Sequence, residues 1–163
     1  MTQADIGVLG LGMMGRNLAL NIADRGFSVV GYERDPALLT QAMATAEGLI
    51  VHGELERFVA SIKRPRALLL MITAGAPVDQ SIKALLPLLS PGDVLVDAGN
   101  SDYQDTGRRE ALLRQARIGY LGLGVSGGEE GARHGPALMA GGAWAAYARV
   151  APVLTAIAAR ADD

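Results

Sequence analysis

The stretch that decides the fold is Ile6-Gly7-Val8-Leu9-Gly10-Leu11-Gly12-Met13-Met14-Gly15. Its apolar beginning predicts a strand, and its last three glycines have the spacing G-x-G-x-x-G. Apolar residues then recur every fourth position at Met14, Leu18 and Ile22, which predicts an amphipathic helix. Strand, tight turn and helix in this order are the context in which such glycines indicate a dinucleotide-binding site.

Each glycine of the motif has a separate physical task. Gly10 permits a sharp turn out of the strand, Gly12 leaves room for a pyrophosphate beside the backbone, and Gly15 lets the helix pack close to the strand. The first helical turn offers unpaired N–H groups and a partial positive charge to phosphates. Because 21 glycines in 163 residues also produce such spacings by chance, the prediction rests on the flanking elements.

An acidic residue follows at a suitable distance. Glu33 ends the apolar run 27–32, and it lies about 20 residues beyond the glycines, where a carboxylate normally binds a ribose hydroxyl. This residue strengthens the prediction of a dinucleotide site.

Composition excludes several classes of function. Half of the residues are apolar, which is enough for a real core, and the net charge of −2 comes from acidic and basic residues scattered along the chain. Without a basic stripe we expect no nucleic-acid partner, and without cysteine no disulfide or thiolate metal site; we expect no metal. The N-terminus has no cationic region typical of a signal peptide, and the longest apolar run, 67–72, is too short to cross a bilayer. We therefore expect a cytoplasmic protein with no membrane association.

Strand and helix patterns alternate along the chain. This predicts an α/β fold, Rossmann-like and doubly wound, with a mostly parallel sheet, helices on both faces and a single domain over 1–163. The predicted strands are 6–9, 27–32, 67–72, 94–97 and 118–125, with 136–140 interpreted as an edge strand. After the first helix, the predicted helices are 36–46, 54–62, 78–89, 101–116 and 144–160. We interpret 48–53 as a connection and 126–135 as a polar, glycine-rich loop.

Two finer predictions concern helix ends and helix continuity. Ser101 and Gln104 have the spacing of a capping box at the start of the helix 101–116. Pro152 should kink the last helix or mark the point where it restarts.

Taken together, the loops at the carboxyl ends of the predicted strands resemble those of 6-phosphogluconate dehydrogenases. The similar blocks are 10–19, 74–79, 97–101 and 125–133, and the resemblance covers essentially the whole chain as that family's N-terminal coenzyme domain. Related β-hydroxyacid dehydrogenases share the serine-glycine-glycine loop, but they usually have aspartate-x-serine-threonine at 97–101.

The resemblance implies roles for individual residues. The cofactor-binding set that it implies is Gly10, Leu11, Gly12, Met13, Met14 and Gly15 around the pyrophosphate, Glu33, Arg34 and Asp35 at the adenosine ribose, Ile72, Thr73 and Ala74 beside the nucleotide, and Asn100 at the nicotinamide. The substrate-binding set that it implies is Asn100, Ser126, Gly127 and Gly128.

The chemistry that the resemblance implies is oxidation of 6-phosphogluconate to ribulose 5-phosphate and carbon dioxide with NAD or NADP, in the pentose phosphate pathway. Asn100 and Ser126 can orient hydroxyls, but neither side chain is a general base at neutral pH. The family's catalytic lysine and glutamate, its helical substrate domain and its dimer contacts lie beyond this chain. We therefore expect cofactor binding without turnover.

The residues at 33–35 bear on the choice of cofactor. NADP-using members of the family typically have asparagine-arginine-threonine there. Arg34 could pair with a 2′-phosphate or stack on adenine, whereas Glu33 and Asp35 would repel that phosphate, and Glu33 suits a free 2′-hydroxyl. The sequence favours NAD, and use of NADP or of both stays open.

Two alternative functions remain at this point. One is the NAD(P) domain of a β-hydroxyacid dehydrogenase, against which the residues 97–101 argue. The other is a stand-alone nucleotide-binding module without catalysis. Whether the chain is complete and how it oligomerises are also open.

Overall fold

The computed structural model describes residues 3–46 and 48–161, and strands and helices alternate through them as predicted. The strands are β1 (Ile6–Leu9), β2 (Val29–Tyr32), β3 (Ile50–His52), β4 (Ala67–Leu70), β5 (Val94–Asp97), β6 (Gly119–Ser126) and β7 (Ala137–Gly142). The helices are α1 (Met13–Asp24), α2 (Pro36–Thr45), α3 (Leu55–Ala60), α4 (Ala76–Leu85), α5 (Tyr103–Gln115), α6 (Gly128–His134) and α7 (Trp144–Ile157), with a 3-10 helix at Leu86–Leu88.

The strands form one sheet in the order β3-β2-β1-β4-β5-β6-β7. All pairs are parallel except β6 and β7, which are antiparallel, so the mostly parallel, doubly wound fold and the edge strand are confirmed. The chain leaves β1 in one direction to β2 and β3 and later returns to its other side at β4. This reversal of strand order opens a crevice at the carboxyl ends of β1 and β4.

The sheet has a hydrophobic core on each face. Along the fully buried β4, Ala67 and Leu69 pack into the core formed with α1 and α7, whereas Leu68 and Leu70 pack into the core formed with α3, α4 and α5. Burial on both faces explains why the sequence of this strand is a continuous apolar run. Among the helices of the described residues, none has the length and apolar character that crossing a bilayer requires.

Two segments predicted to lack regular structure contain elements. Ile50–His52 pairs with β2 as an edge strand, which is too short to show a periodic pattern. Gly128–His134 forms α6 although its glycines disfavour a helix, because tertiary contacts hold it against α1. Ala132 is fully buried there, and Asn21 donates from Nδ2 to the Ala132 carbonyl oxygen at 3.2 Å.

The prediction about capping also needs correction, and one of the two alternatives predicted at Pro152 is excluded. Asp102, and not Ser101, caps α5, since Asp102 Oδ1 accepts a hydrogen bond from the Gln104 amide at 2.9 Å. Ser101 Oγ instead donates to Asp97 Oδ2 at 2.6 Å. Helix α7 continues through Pro152 to Ile157, so it does not restart there, and the alternative of a kink stays a prediction.

Asp5 joins three parts of the chain at the amino end of β1. Its carboxylate accepts hydrogen bonds from the Ser28 amide (2.8 Å), the Ser28 hydroxyl (2.6 Å) and Lys63 Nζ (2.7 Å). The hydrogen bond from Lys63, followed by that from the Ser28 hydroxyl, lowers the pKa of Asp5 from 3.8 to about 2. Because the folded-state pKa is depressed, the ionised carboxylate stabilises the fold above pH 3.8, and this contribution is lost as the pH falls towards 2.

We predict that Asp5→Asn lowers the free energy of unfolding at pH 7 by about 1 kcal/mol, a value reduced by solvent screening at this partly exposed site. Urea unfolding at pH 7 and near pH 2 measures the effect, which should almost vanish at the lower pH. Glu54→Gln, which breaks an exposed ion pair with Arg57, is the matched control and should change stability little. An Asp5→Asn effect of equal size at both pH values would contradict the prediction.

Candidate functional site

A cleft of about 640 Å³ lies at the carboxyl ends of β1, β2, β4 and β5. It occupies the crevice that the reversal of strand order creates, where α/β sheets of this kind bind ligands. The predicted site residues that line it are Gly10, Gly12, Met14, Glu33, Arg34, Asp35, Ile72, Thr73 and Asn100.

The turn between β1 and α1 is held by backbone contacts that leave no room for side chains. Gly10 has φ +92°, and a Cβ there would overlap the carbonyl oxygen of Met71 on the neighbouring strand end. A Cβ at Gly15 would overlap the carbonyl oxygen of Gly10. Helix α1 therefore packs directly on the turn from which it starts.

The N-terminus of α1 opens into the cleft. Gly12 is the N-cap residue, no side chain caps the helix, and its first turn has no acidic residue. A Cβ at Gly12 would meet nothing within 4 Å. Unpaired amide groups and the positive end of the helix dipole thus face open space, which makes this helix end suitable for binding an anion.

Glu33 connects the glycine turn to the end of β2. The residue is buried, and its carboxylate accepts hydrogen bonds from the Leu11 amide at 2.8 Å and from the Asp35 amide at 3.0 Å. Each carboxylate oxygen still has acceptor capacity, and Glu33 lines the cleft, so the group can also accept a hydrogen bond from a ligand hydroxyl. The sequence predicts contact with a ribose but not this structural role.

Asp35 and Arg34 differ from Glu33 in their surroundings. Asp35 is the N-cap of α2, and its Oδ1 accepts hydrogen bonds from the amides of Ala37 (2.8 Å) and Leu38 (3.1 Å). Arg34 is exposed and makes no ion pair with any described residue. The mouth of the cleft on this side therefore combines two carboxylates with one available guanidinium.

Asn100 joins the ends of β5 and β6 on the opposite side of the cleft. Its φ of +56° lies in the left-handed region, which asparagine tolerates better than most residues. Its Oδ1 accepts a hydrogen bond from the Val125 amide at 2.9 Å, and its Nδ2 donates to the Val125 carbonyl oxygen at 3.2 Å. One amide hydrogen and one lone pair of the side chain remain available to a ligand.

A buried carboxylate lies beneath Asn100. Asp97 Oδ1 accepts a hydrogen bond from the Gly99 amide at 3.1 Å, and Oδ2 accepts one from the Tyr120 hydroxyl at 2.7 Å. Burial, and then the hydrogen bond to Asp97, raises the pKa of Tyr120 far above its ordinary value, so this hydroxyl stays protonated and donates. The turn that carries Asn100 is thereby fixed to the body of the sheet.

Several predicted site residues lie outside the cleft lining. Leu11 and Ala74 belong to the same turns, and Met13 and Gly15 to the first turn of α1, but none of the four lines the cleft. Ser126, Gly127 and Gly128 are exposed where β6 meets α6, next to the lining residue Val125. The φ values of +127° at Gly127 and +62° at Gly128 favour glycine at both positions.

Sequence reasoning missed one wall of the cleft. Pro77, Gln80, Ser81 and Ala84 of α4 line it, and their spacing of three and four residues places them on one helix face. That spacing is the signal that could have identified them.

The chemical capacity of the cleft is to bind and orient. Its described lining residues include neither lysine nor histidine, and the described residues contain no group of side chains suited to a metal ion. It offers backbone amides at α1, carboxylates at β2, and a side-chain amide at β5. These groups suit a long ligand with an anionic centre and hydroxyl groups on either side.

Comparison with known proteins identifies close relatives of the chain. The family model for the NAD binding domain of 6-phosphogluconate dehydrogenase matches residues 5–162. The NAD(+)-dependent, decarboxylating 6-phosphogluconate dehydrogenase of Bacillus subtilis is 50% identical over 97% of this chain and 34% of its own length. The decarboxylating enzyme of Staphylococcus aureus is 50% identical over 100% of this chain and 35% of its own length.

A solved structure is similar over the same range. Plasmodium falciparum 6-phosphogluconate dehydrogenase superposes with a TM-score of 0.89 at 39% identity, covering 96% of this chain and 34% of that one. The chain thus spans about a third of the length of the relatives that it matches.

We predict opposite tolerance of alanine at two glycines of the motif. Gly15→Ala should lower the free energy of unfolding by about 2–3 kcal/mol, because α1 must move away from the Gly10 carbonyl. Gly12→Ala should change it by less than about 0.5 kcal/mol, because its Cβ would point into open space. Urea unfolding measures both values.

Gly107→Ala is the matched control for these two substitutions. This glycine lies within α5 on an exposed position with nothing within 4 Å of a Cβ, so alanine should stabilise the protein by about 0.5–1 kcal/mol. Equal stability of the Gly15→Ala variant and the wild type would show that α1 does not pack on the turn as described.

Proposed function

The chain belongs to the 6-phosphogluconate dehydrogenase family, and we propose that it is the part of such an enzyme that binds the nicotinamide dinucleotide. The observation that carries the proposal is the uncapped N-terminus of α1, open at Gly12 and directed into a cleft whose neighbouring strand ends in Glu33. Backbone amides at such a helix end bind a pyrophosphate, and a carboxylate at the end of the adjacent strand binds a ribose hydroxyl.

The order of the strands supports one orientation of the ligand. With the pyrophosphate at the start of α1, the adenosine half extends over β2, towards Glu33, Arg34 and Asp35. The nicotinamide half then extends over β4 and β5, where Ile72–Ala74 and Asn100 lie. In this arrangement the dinucleotide spans the point where the strand order reverses.

We propose that NAD is the preferred form of the cofactor. Glu33 and Asp35 place two negative charges where NADP would carry its 2′-phosphate, and the single Arg34 offsets only part of their repulsion. The Bacillus subtilis relative is NAD(+)-dependent, whereas the Plasmodium falciparum relative is described in complex with its cofactor NADP+. The preference therefore rests on the residues of this chain.

For the whole enzyme we propose the reaction named for its relatives. NAD, when bound, would accept the C3 hydrogen of 6-phosphogluconate as a hydride. The C3 hydroxyl would lose its proton, and release of carbon dioxide with uptake of one proton at the carbon that carried it would leave ribulose 5-phosphate. Asn100, Ser126, Gly127 and Gly128 would bind the sugar acid. Asn100 and Ser126 are not general bases at neutral pH. The carboxylates of the lining, Glu33 and Asp35, lie on the proposed adenosine side, so the base must come from another part of the enzyme.

We predict that the chain alone binds NAD and does not oxidise 6-phosphogluconate. Titration calorimetry should detect binding, and Gly12→Ala should weaken it about tenfold or more, because its methyl group occupies the approach to the helix amides. Absorbance of reduced nicotinamide should not rise when substrate is added.

Gly107→Ala, remote from the cleft, should bind NAD like the wild type. If the wild type does not bind NAD at millimolar concentration, the proposal is wrong. Steady production of reduced nicotinamide would show that this chain itself supplies a general base.

We predict that NAD binds more tightly than NADP and that the double variant Glu33→Gln with Asp35→Ser moves the ratio of the two dissociation constants about tenfold towards NADP. Both substitutions remove a negative charge, and serine can still cap α2. Calorimetric titration with each dinucleotide measures the ratio.

Asp102→Ser is the matched control for that variant. It removes a charge and retains a possible cap at α5, outside the cleft, and it should leave the ratio unchanged. Tighter binding of NADP than of NAD to the wild type would show that the proposed preference is wrong.

A further inference from the structure

A fully buried arginine lies behind the β4–β5 side of the cleft. Arg109 of α5 pairs all five of its N–H donors. Nε and Nη2 donate to the two carboxylate oxygens of Asp79 at 2.9 and 3.2 Å, and Nη2 also donates to the Gly75 carbonyl oxygen at 3.0 Å. Nη1 donates to Asp97 Oδ2 at 3.3 Å and to Ser101 Oγ at 3.1 Å.

These acceptors belong to two different turns. Gly75 and Asp79 lie in the turn after β4 and in the first turn of α4, and Asp97 and Ser101 flank the turn after β5. The same two turns carry the lining residues Ile72–Thr73 and Ala98–Asn100. A single guanidinium thus holds together two turns that form one half of the cleft.

The two turns also meet directly. A Cβ at Gly99 would lie 2.5 Å from the Ile72 carbonyl oxygen, so small relative movements change the shape of this half of the cleft. Asp97 holds the Gly99 amide with its other oxygen, and Asn100 follows in its left-handed conformation. Displacement of the Arg109 guanidinium would therefore be transmitted to Asn100 through Asp97.

The adenosine half of the proposed site is held by separate contacts. Glu33 fixes the glycine turn through the Leu11 and Asp35 amides, and none of these groups bonds to Arg109. The two halves of the cleft can consequently be disturbed independently.

We propose that Arg109 is a positioning residue for the nicotinamide end of the dinucleotide, acting through the turns after β4 and β5. It has no exposed surface with which to contact a ligand. The inference rests on the proposed function, because it needs a dinucleotide in the cleft. It predicts that losing the Arg109 contacts weakens binding of the nicotinamide and leaves binding of the adenosine diphosphate ribose portion intact.

The test compares two ligands on the full chain. Titration calorimetry gives the dissociation constants of NAD and of ADP-ribose, which has no nicotinamide, for the wild type and for Arg109→Lys. Lysine retains the charge but cannot reproduce five donors in a planar arrangement. We expect affinity for NAD to fall about tenfold, because charge-assisted hydrogen bonds that hold the two turns are lost. Affinity for ADP-ribose should change less than about twofold.

Two further variants keep the test decisive. Asp79→Asn removes the charge of a carboxylate outside the cleft lining that takes two of the five hydrogen bonds, and it should shift the same ratio by about threefold even if Arg109→Lys does not fold. Arg108→Gln is the matched control. The exposed Arg108 also pairs with Asp79, but its other ion pair is to Asp105 of its own helix and not to the turn after β5. It should leave the ratio at its wild-type value.

The possible outcomes separate the inference from the function on which it rests. An NAD to ADP-ribose ratio that is unchanged in both Arg109→Lys and Asp79→Asn, or an equal loss of both ligands, would assign Arg109 to stability alone and overturn the inference. Failure of the wild type to bind either ligand would overturn the proposed function instead.

Discussion

Backbone contact between α1 and its own preceding turn is the constraint on which the cleft depends. Gly15 lies against the Gly10 carbonyl, and Gly10 lies against the carbonyl of Met71 at the end of β4. No side chain fits in either contact, so α1 starts at the edge of the sheet with its first amides unpaired. The anion-binding capacity of the cleft is therefore a consequence of close packing, and it requires no cationic side chain at that point.

Glu33 meets a structural and a chemical demand with one carboxylate. It is buried and holds the Leu11 and Asp35 amides, so it maintains the turn that forms the proposed phosphate site. In the proposed binding mode, the same charge would repel the 2′-phosphate of NADP. Glu33→Gln would leave one side-chain oxygen for these two backbone amides, so one amide would need another acceptor.

The two halves of the cleft are held by different kinds of hydrogen-bond contact. On the β2 side, a single carboxylate bonds to backbone amides close in sequence to the glycines. On the β5 side, the buried groups Asp97, Arg109 and Tyr120 satisfy one another across α5, β5 and β6. Removing one member of such a buried set leaves an uncompensated charge or donor, so substitutions there should have larger effects than those at the exposed ion pairs.

The sequence by itself determined the fold class, the glycine turn, the acidic residue after β2 and the turns after β4 and β5, because these depend on local periodicity and on spacing within one strand-turn-helix unit. Only the tertiary structure decided that β3 and α6 form, since contacts with β2 and α1 outweigh their weak local preference. It also decided that Glu33 braces the turn, that Asp102 and not Ser101 caps α5, and that Arg109 reaches Asp79 and Asp97. The contacts of Glu33 and Arg109 join separate elements, and hydrophobic periodicity does not indicate which buried polar groups meet there.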